Sequence, residues 1–457
     1  MRKAVFSLAG FVCLAGFVAA RTASVADDAI AYVETPQYDA AAWTRRAERF
    51  PGGAAIRLLP GARPLAPGFA ASADPEVSFD GARILFAGKR AAAEPWEIFE
   101  VARNGAAPRQ ITSGGGDCIR PFYLPDNRIV YTRGGRWIET MGLDGGDAQR
   151  ISYGAAPVLT DGVLRDGRIL FETVLASGVR EVMTVYPDGT GVESIRCDHG
   201  ADRHSAHQLN SGDIAFVQRD GSLGRFTSAL ATQTTIAQPR AEFAGAPVEG
   251  AGAAWIAALR QNAQERYRLA RWNPRTGTLR TIAQAADANA VEPVIIAPRE
   301  APKRFPSALV ASRTAVNTLC LNAHTSRDPM PEAQIAAVRV FTRSEAGQQE
   351  LLGETAVEKD GSFFIQIPAD RPIRLELTTA AGTVIRAEKT WWWGRAAEQR
   401  ICTGCHAGPE RAPENAVPEV LLRRDVPVKM LIGGSSQRSA LSNQLKEQII
   451  LVSGGRR

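Results

Sequence analysis

Hydrophobic and polar positions alternate over short runs along much of the chain, and many runs follow a turn sequence, a pattern typical of β-hairpins. The clearest unit is residues 78–86, where an Asp-Gly turn precedes the run Ile-Leu-Phe. Related units recur at intervals of 40 to 45 residues, measured between the isoleucines Ile84, Ile129, Ile169, Ile214 and Ile256. A period in the forties with several short strands per unit predicts the blades of a β-propeller.

An earlier apolar run at residues 29–34 predicts one more strand. Together with the five repeats it predicts six blades, because a terminal strand that pairs with the other end of the region would close the ring and hide its edges. Further turn signals lie between the repeats at Asp144-Gly145 and Asp188-Gly189. Such Asp-Gly pairs supply the positive φ that tight hairpins need.

Residues 305–390 carry a different series of short strands. A first strand is predicted around residues 319–321, and five more follow at residues 338–341, 351–355, 361–367, 373–377 and 383–387. Strands of this length and alternation predict a small antiparallel β-sandwich. The predicted fold class is therefore all-β, a six-bladed propeller followed by a sandwich, with one amphipathic helix expected at residues 441–452.

The N-terminus has the pattern of a secretory signal. Arg2 and Lys3 precede an apolar run at residues 4–20 that ends in small side chains, which predicts a removable signal peptide. An uncleaved membrane anchor is the alternative, but the run is short for a spanning helix. No later segment reaches about 18 apolar residues without charges, so we expect an exported, periplasmic protein with no stable membrane insertion after signal removal.

Cys402, Cys405 and His406 form the sequence Cys-x-x-Cys-His, the attachment signature of c-type haem. Two thiols bind one porphyrin, and the imidazole that follows is placed to ligate the iron. A structural zinc site would need a second Cys/His pair at ribbon spacing, and a thioredoxin-like dithiol would need a βαβ context. Neither is present near the motif, so one covalent haem c is expected, in agreement with export.

Other residues are candidates for roles around this motif. Met430 is a candidate distal ligand, since His/Met ligation is typical of electron-transfer cytochromes, and His324 is a further one. Residues 199–207 contain three of the five histidines, which form a metal site, supply the distal haem group or lie on a solvated loop at a blade edge. The tryptophans at 391–393 either fill the base of the sandwich or pack on the porphyrin.

These patterns divide the chain into six segments. They are a signal peptide at 1–20, an N-terminal segment at 21–75 with the closing strand, the propeller at 76–304, the sandwich at 305–390, a haem c attachment segment at 391–425 and a C-terminal tail with a short helix at 426–457.

The repeats resemble the blades of TolB-like six-bladed propellers. From residue 319 onward the sequence also resembles the middle domain of the hydrazine synthase alpha subunit and its relatives. The matching residues are 319–321, 338–340, 360–363, 368–370, 391–393 and 402–406, and residues 408–415 are similar to relatives outside the anammox enzymes.

The hydrazine synthase resemblance implies a particular site. In that enzyme the motif histidine faces a zinc ion with cysteine help, and a tyrosine four residues later ligates the haem iron. It implies that His406, with Cys118 or Cys320, is a candidate zinc site, and that Glu410 stands at the iron-ligand position. Glutamate in place of tyrosine departs from the family, and the chain has one Cys-x-x-Cys-His where the full enzyme has a second haem domain. Hydrazine synthesis by this chain alone is therefore not expected.

Two functions remain. The first is a monohaem cytochrome-like protein that acts with a redox partner protein in electron transfer or small-molecule redox chemistry. The second is a periplasmic propeller that binds a protein or peptide, with a structural or sensory haem. Cys118 also has simpler interpretations, as a buried apolar residue or in a disulfide with Cys197. The net charge of +6 comes without a basic block, so nucleic-acid binding is not expected. The sequence indicates no oligomeric state.

Overall fold

The computed structural model describes residues 28–105, 107–196, 200–228, 231–310, 312–326, 329–331, 334–344, 346–404 and 415–431. In these ranges the regular elements are β-strands and short 3₁₀-helices, which confirms the predicted all-β class. The 3₁₀-helices are Ala42–Arg45, Ala251–Ala253 and Glu419–Leu422. The predicted signal peptide and the helix expected at 441–452 lie outside the described residues. No helix among those described is long and apolar enough to cross a membrane.

Six sheets form the blades of the propeller. In chain order their strands are β1 (Ile30–Thr35), β2 (Ala55–Leu59), β3 (Arg63–Pro64), β4 (Ala71–Val77), β5 (Arg83–Lys89), β6 (Glu97–Ala102), β7 (Arg109–Gln110), β8 (Cys118–Leu124), β9 (Arg128–Arg133), β10 (Trp137–Gly142), β11 (Gln149–Arg150), β12 (Val158–Val163), β13 (Ile169–Val174), β14 (Arg180–Val185), β15 (Glu193–Ser194), β16 (Arg203–Gln208), β17 (Ile214–Gln218), β18 (Leu223–Phe226), β19 (Gln233–Thr235), β20 (Glu242–Phe243), β21 (Val248–Glu249), β22 (Trp255–Arg260), β23 (Arg268–Trp272), β24 (Leu279–Ala283) and β25 (Asn289–Ile295).

Five blades use consecutive strands: β4–β7, β8–β11, β12–β15, β16–β19 and β20–β24. The sixth blade has the order β25-β1-β2-β3, so its innermost strand comes from the other end of the region. β1 and β25 are antiparallel, with Val33 opposite Val291. The first and last strands of the propeller are thus joined side by side, and neither is left as an open edge.

The innermost strands share a local irregularity. Register shifts interrupt the pairing of β4, β8, β12, β16 and β25, as expected of β-bulges. Four residues at these bulges have left-handed backbone although they are not glycine: Asp74 (φ 55°), Arg120 (φ 53°), Ser205 (φ 51°) and Glu292 (φ 52°). A bulge changes the direction of a side chain, and here the bulge residues line a cavity at the centre of the propeller.

The remaining strands form two four-stranded sheets of a sandwich. They are β26 (Ala315–Cys320), β27 (Ala337–Arg343), β28 (Gln349–Ala356), β29 (Phe363–Pro368), β30 (Ile373–Thr378), β31 (Val384–Ala387), β32 (Gln399–Cys402) and β33 (Val428–Lys429). One sheet has the order β28-β27-β30-β31 and is antiparallel. The other has the order β32-β26-β29-β33, and both of its outer strands pair in parallel. The edges of this second sheet are therefore the strands on either side of the haem motif.

The sandwich and the propeller share one apolar core. Phe171, on the blade β12–β15, belongs to the same buried cluster as Trp392 and Trp393 and the inward-facing residues of β26 and β29. The two β modules are thus packed as one body at this blade, because separating them would expose part of a continuous core.

Candidate functional site

Cys402, the first thiol of the haem motif, ends strand β32. The parallel pairing of β32 with β26 sets Cys402 directly opposite Cys320. Burial raises the pKa of the Cys402 thiol, so the uncharged thiol is favoured. Cys405, His406 and Glu410 lie outside the described residues. The structure thus brings the first haem-attachment thiol beside one of the two cysteines predicted as zinc ligands.

The strand that ends at Cys402 is fixed to the propeller. Arg400 Nη2 donates to the carbonyl of Val192 at 2.8 Å, and the Glu398 carboxylate accepts from the Gly191 amide at 3.1 Å. Both partners lie in the segment between β14 and β15 that begins with the predicted Asp-Gly turn. The haem-motif strand therefore lies at the junction of the two modules and is supported from both sides.

Trp393 is the main aromatic contact across this junction. Its side chain is buried, its ring centroid lies 6.2 Å from that of Phe171, and its Nε1 donates to the Gly189 carbonyl at 3.0 Å. Gly154 faces the same ring, since a Cβ at that position would come within 3.4 Å of it. Gly189 has φ 86°, a conformation that glycine adopts without strain. The Asp-Gly turn is therefore both a hairpin and the docking point for the sandwich.

The two preceding tryptophans belong to the sandwich. Trp392 is buried, and its Nε1 donates to the Glu388 carboxylate at 2.8 Å. Trp391 is partly buried, with the Arg343 guanidinium 5.0 Å from its ring centroid. Of the two interpretations of residues 391–393, the filling of the sandwich base accounts for Trp392 and Trp393.

Uncovered apolar side chains gather on both sides of the haem motif in the sequence. Of the eight large apolar residues that are exposed in the described chain, five fall in this stretch: Ile401, Val417, Leu421, Leu422 and Leu431. They lie on separate elements, with Ile401 on β32 and Leu431 just beyond β33, which are the two outer strands of the same sheet. The two thiols and the imidazole of the motif are the donor types that bind a c-type haem, and these five residues are the exposed large apolar side chains that flank the motif in the described sequence.

Both described flanks of the motif are tied to the same sheet. The chain leaves it at Cys402 on the β32 edge, and the Val420 amide donates to Ser362 Oγ at 3.0 Å, directly before β29. Phe363, the next residue, lies opposite Cys320 on β26. The strand ends that surround the motif therefore belong to one end of one sheet.

His324 and Met430, the two predicted distal ligands, have different surroundings. His324 is exposed four residues beyond Cys320, at the end of the sandwich that carries Cys402. Its ring lies against the turn at Gly361, where an added Cβ would come within 2.7 Å of the ring. Met430 is fully buried in the shared core. The His324 imidazole can therefore contact another group without a change in the fold, whereas the Met430 thioether would first have to leave the core.

Cys118 lies in another part of the molecule's core. It begins β8, is fully buried in the apolar cluster of the propeller, and burial raises its pKa to about 12. Cys320 belongs to the cluster shared with the sandwich. Within the part of the chain that the structure describes, no group of three or more His, Cys, Asp or Glu could hold a metal ion. Zinc binding by His406 with Cys118 or Cys320 stays a prediction, and Cys197 lies outside the described residues.

A chain of buried ion pairs crosses the centre of the propeller. Arg49, with its side chain 5 % exposed, pairs with Asp74 and, at 2.5 Å, with Glu292. Arg120 pairs with Asp161 at 3.0 Å and lies 3.7 Å from Glu292. These five residues come from four blades. They therefore connect blades that are far apart in the sequence, through side chains removed from water.

The electrostatics of this centre follow from burial and pairing. Burial alone would raise the pKa of Asp74, but Arg49 and Arg120 hold it below its usual range. Burial raises the pKa of Glu292 despite the same two arginines. Burial and the nearby Asp161 raise the pKa of Glu172 well above its ordinary value. Burial therefore favours the uncharged forms of Glu292 and Glu172, whereas the two arginines favour the ionised form of Asp74.

Sequence reasoning missed this centre, although a signal was present. Asp74, Arg120 and Glu292 each directly precede a proline. Proline has no amide hydrogen for the ladder, and in a strand it marks an edge or a bulge. Asp74 and Arg120 each stand six residues before the turn of a repeat unit, so a charged residue followed by proline at this place is a readable mark of an inward-facing bulge, although no such unit follows Glu292.

His204 and His207 lie on β16, the inner strand of the blade β16–β19. His199 lies outside the described residues. Burial lowers the pKa of His204 to about 3 and that of His207 to about 4. Both are therefore neutral near pH 7. His204 Nδ1 lies 3.0 Å from Ser205 Oγ, and His207 lines the central cavity.

Because these histidines are neutral when buried, we expect the free energy of unfolding to fall as the pH is lowered. In the unfolded chain an imidazole protonates near pH 6.5, whereas His204 stays neutral in the folded protein, so proton uptake favours unfolding below that pH. At pH 5 the loss from one such histidine is about 2 kcal/mol relative to pH 7.5. Urea unfolding of the wild type and of His204→Gln at both pH values measures it as the difference between the two proteins.

We expect the stability difference between wild type and His204→Gln to change by about 2 kcal/mol between pH 7.5 and pH 5. A pH-independent difference for His204→Gln would show that its imidazole titrates alike in the folded and unfolded states.

Comparison with known proteins supports the family prediction made from the sequence. Residues 314–407 match the family described as the hydrazine synthase alpha subunit middle domain. This segment belongs to that family. It contains β26–β32 and the whole Cys-x-x-Cys-His motif, so the hydrazine synthase alpha middle-domain segment and the site described above coincide.

Solved structures extend the likeness to the fold of the rest of the chain. Kuenenia stuttgartiensis hydrazine synthase is 17 % identical, with a TM-score of 0.74, over 86 % of this chain and 71 % of that one. TolB from Acinetobacter baumannii is 17 % identical, with a TM-score of 0.43, over 58 % of this chain and 66 % of that one. A search of curated proteins finds no match. At this identity the first likeness establishes the fold, a propeller joined to a hydrazine synthase alpha-like middle domain.

Proposed function

We propose that this chain is an exported redox protein that carries one covalent haem c on Cys402 and Cys405, with His406 as a ligand to the iron or to a neighbouring zinc. The placement of Cys402 carries the proposal: it ends a strand that the propeller and the sandwich both support, in a stretch rich in uncovered apolar side chains. A cofactor site on rigid elements keeps its geometry better than one on loops.

The chain's own residues would serve this cofactor in three ways. The thiols bind it, the Arg400 and Glu398 contacts hold the attachment strand against the propeller, and the exposed apolar residues provide a surface that excludes water. When bound, haem supplies one-electron transfer, or binding of a small molecule where an iron position is open. A redox partner protein completes the proposal.

Replacing both motif cysteines, Cys402→Ala with Cys405→Ala, is expected to abolish covalent haem. The reason is that the porphyrin is held by thioether bonds to these two thiols. The measurement is haem staining after denaturing electrophoresis of protein matured in a haem-attaching host, with metal analysis for iron and zinc. Cys118→Ala is the matched control, because its thiol is buried in the propeller core and should leave the stain unchanged.

Colourless wild-type protein with both motif thiols open to alkylation would reject the haem proposal. If haem is present, zinc at about one equivalent that disappears in Cys320→Ala but not in Cys118→Ala would assign the zinc role to the cysteine opposite Cys402. Absence of zinc from haem-loaded protein would instead leave His406 to the iron.

The distal ligand is tested by a pair of variants. Because His324 is exposed at the haem end of the sandwich and Met430 is buried in the core, His324→Gln is expected to change the absorption spectrum of the haem protein, and Met430→Leu to leave it unchanged. A shift on adding carbon monoxide to reduced wild type would identify an open or displaceable position. A spectrum altered only by Met430→Leu would contradict the assignment.

A further inference from the structure

The centre of the propeller contains a cavity of about 530 Å³. Bulge residues of the inner strands, including Asp74, Arg120 and Glu292, line its inner part. The lining continues along the inner strands towards their carboxyl ends and includes Leu164 and Val248. The cavity therefore opens on the face where the inner strands end, beyond an ion-paired floor. Its volume is that of a site for a small organic molecule.

The segment that joins the propeller to the sandwich runs along the edge of this opening. The Arg299 amide donates to the Phe79 carbonyl at 2.9 Å, and the Lys303 amide donates to the Arg165 carbonyl at 2.9 Å. Gly167 makes room for it, since a Cβ there would lie 2.4 Å from the Lys303 carbonyl oxygen. This connecting segment, residues 296–303, is thus fixed to two blades and forms one side of the rim.

Carboxylates outnumber guanidinium groups around the cavity. The lining contains six acidic residues, Asp74, Glu76, Asp161, Glu249, Glu292 and Glu300, and four arginines, Arg49, Arg120, Arg165 and Arg299. Four of the acidic residues are paired with three of these arginines. The cavity thus has a net negative charge when all of these groups are ionised.

Half of this excess comes from the paired groups, in which four carboxylates share three arginines. The other half comes from the rim, where the lining contains two carboxylates, Glu249 and Glu300, and one arginine without a carboxylate partner among the described residues. Glu249 accepts a hydrogen bond from the Asn210 amide, which fixes its position, and neither Glu249 nor Glu300 has an ion-pair partner in the described ranges. Arg165 is the lining arginine without a carboxylate partner, and its guanidinium donates to the Leu209 carbonyl. His207 lines the same cavity, and its neutral imidazole can accept a further hydrogen bond.

We propose that this cavity binds a small organic cation, a protonated amine with a short apolar chain, whose ammonium group is held by Glu249 and Glu300. The negative excess disfavours an anion. A metal ion fits poorly, since no group of three ligating side chains is present among the described residues and the volume far exceeds one ion. Apolar lining residues such as Phe79, Phe122 and Leu164 accommodate the chain of the amine.

This site is separate from the proposed haem site and does not require it. The cavity is formed by the propeller and the connecting segment, whereas the haem motif lies at the sandwich. Binding can therefore be measured on the full chain with haem attached and on the Cys402→Ala/Cys405→Ala variant, with the same result expected. A failure of the haem proposal would leave this inference untouched, and the reverse also holds.

The test compares three probes of similar size and different charge: n-butylammonium, n-butanol and butyrate. Isothermal titration calorimetry at low salt is expected to give binding of butylammonium about tenfold tighter than of butanol, since a charge-assisted hydrogen bond contributes about that factor. Butyrate is expected not to bind. Equal binding of butanol, tighter binding of butyrate, or no heat with any probe would overturn the proposal.

Charge variants locate the site. Glu249→Gln/Glu300→Gln is expected to weaken butylammonium binding about tenfold and to leave butanol unchanged. The matched control is Glu94→Gln/Asp287→Asn, which removes two carboxylates exposed outside the cavity lining and should bind within about twofold of wild type. An equal loss of butylammonium affinity in both variants would show that the net charge of the protein attracts the cation, and would reject the cavity as its binding site. Urea unfolding of each variant confirms that the fold is retained.

Discussion

Replacing Arg49 by methionine is expected to lower the free energy of unfolding by about 3–5 kcal/mol, because it leaves two buried carboxylates without their main partner. Asp74 and Glu292 both pair with Arg49, and their side chains are 2 % and 9 % exposed. The midpoint of urea unfolding at pH 7.5 measures the loss. Arg45→Met is the matched control: its pair with Asp39 is 61 % and 44 % exposed and contributes at most about 1 kcal/mol.

The pH dependence distinguishes an electrostatic loss from a packing defect. Arg49 holds the pKa of Asp74 below its usual range in the folded protein. Without Arg49, burial raises the pKa of Asp74, and that of Glu292 rises further, so the variant gains relative stability as these groups protonate. We therefore expect the deficit of Arg49→Met to be smaller at pH 5 than at pH 7.5. A deficit that is equal at both pH values, or no larger than that of Arg45→Met, would contradict this.

The repeat predicted from the sequence succeeds because local chemistry specifies it. The turns of the repeat need positive φ, and Gly81 and Gly167, which follow aspartates, and Gly212, which follows Ser211, have φ values of 72°, 93° and 92°. Each turn joins the inner strand of a blade to its neighbour, so the spacing of the turns gives the spacing of the blades. The sandwich is likewise readable, because its strands alternate in exposure, as β29 does.

The ion-paired centre could not be predicted in the same way. Arg49 and Glu292 are separated by 243 residues, and only the closure of the propeller brings them together. Glu292 faces the cavity because of a bulge, whereas Arg49 lies in the loop before β2. A strand pattern of period two does not show where a bulge occurs. The proline after each of Asp74, Arg120 and Glu292 marks the bulge, but the partner of each charge depends on the order of the blades.

The junction between the sandwich and the propeller could be predicted only in part. The sequence singles out the tryptophans before the haem motif and the Asp188-Gly189 turn as separate features. Their contact, Trp393 Nε1 to the Gly189 carbonyl, joins residues 204 positions apart. Each feature is local, whereas the docking geometry depends on which blade meets the sandwich. The pairing of Cys320 with Cys402 is unpredictable for the same reason, since a parallel strand pair leaves no turn between its members.

Replacing Trp393 by alanine is expected to lower the free energy of unfolding by about 3–5 kcal/mol, through lost burial and a cavity between the sandwich and the blade β12–β15. Trp391→Ala is the matched control in the same triplet: its ring is partly exposed and lies away from Phe171 and Gly189, so a clearly smaller loss is expected. Differential scanning calorimetry measures both, with Trp393→Phe retaining much of the packing and removing the hydrogen bond.

The number of thermal unfolding transitions shows whether Trp393 couples the sandwich to the propeller. In the wild type the modules share one core, so a single cooperative transition is expected. Loss of Trp393 weakens the contact that couples them, and the sandwich, with the haem strand β32, should unfold first in a separate transition. Because Arg400 and Glu398 hold β32 on the same turn region, the early transition should also release β32. In protein that carries the proposed haem, this release should be detected as a change in the haem absorption band. Coincident transitions with a loss no greater than that of Trp391→Ala would mean that the backbone and arginine contacts, rather than the indole, hold the modules together.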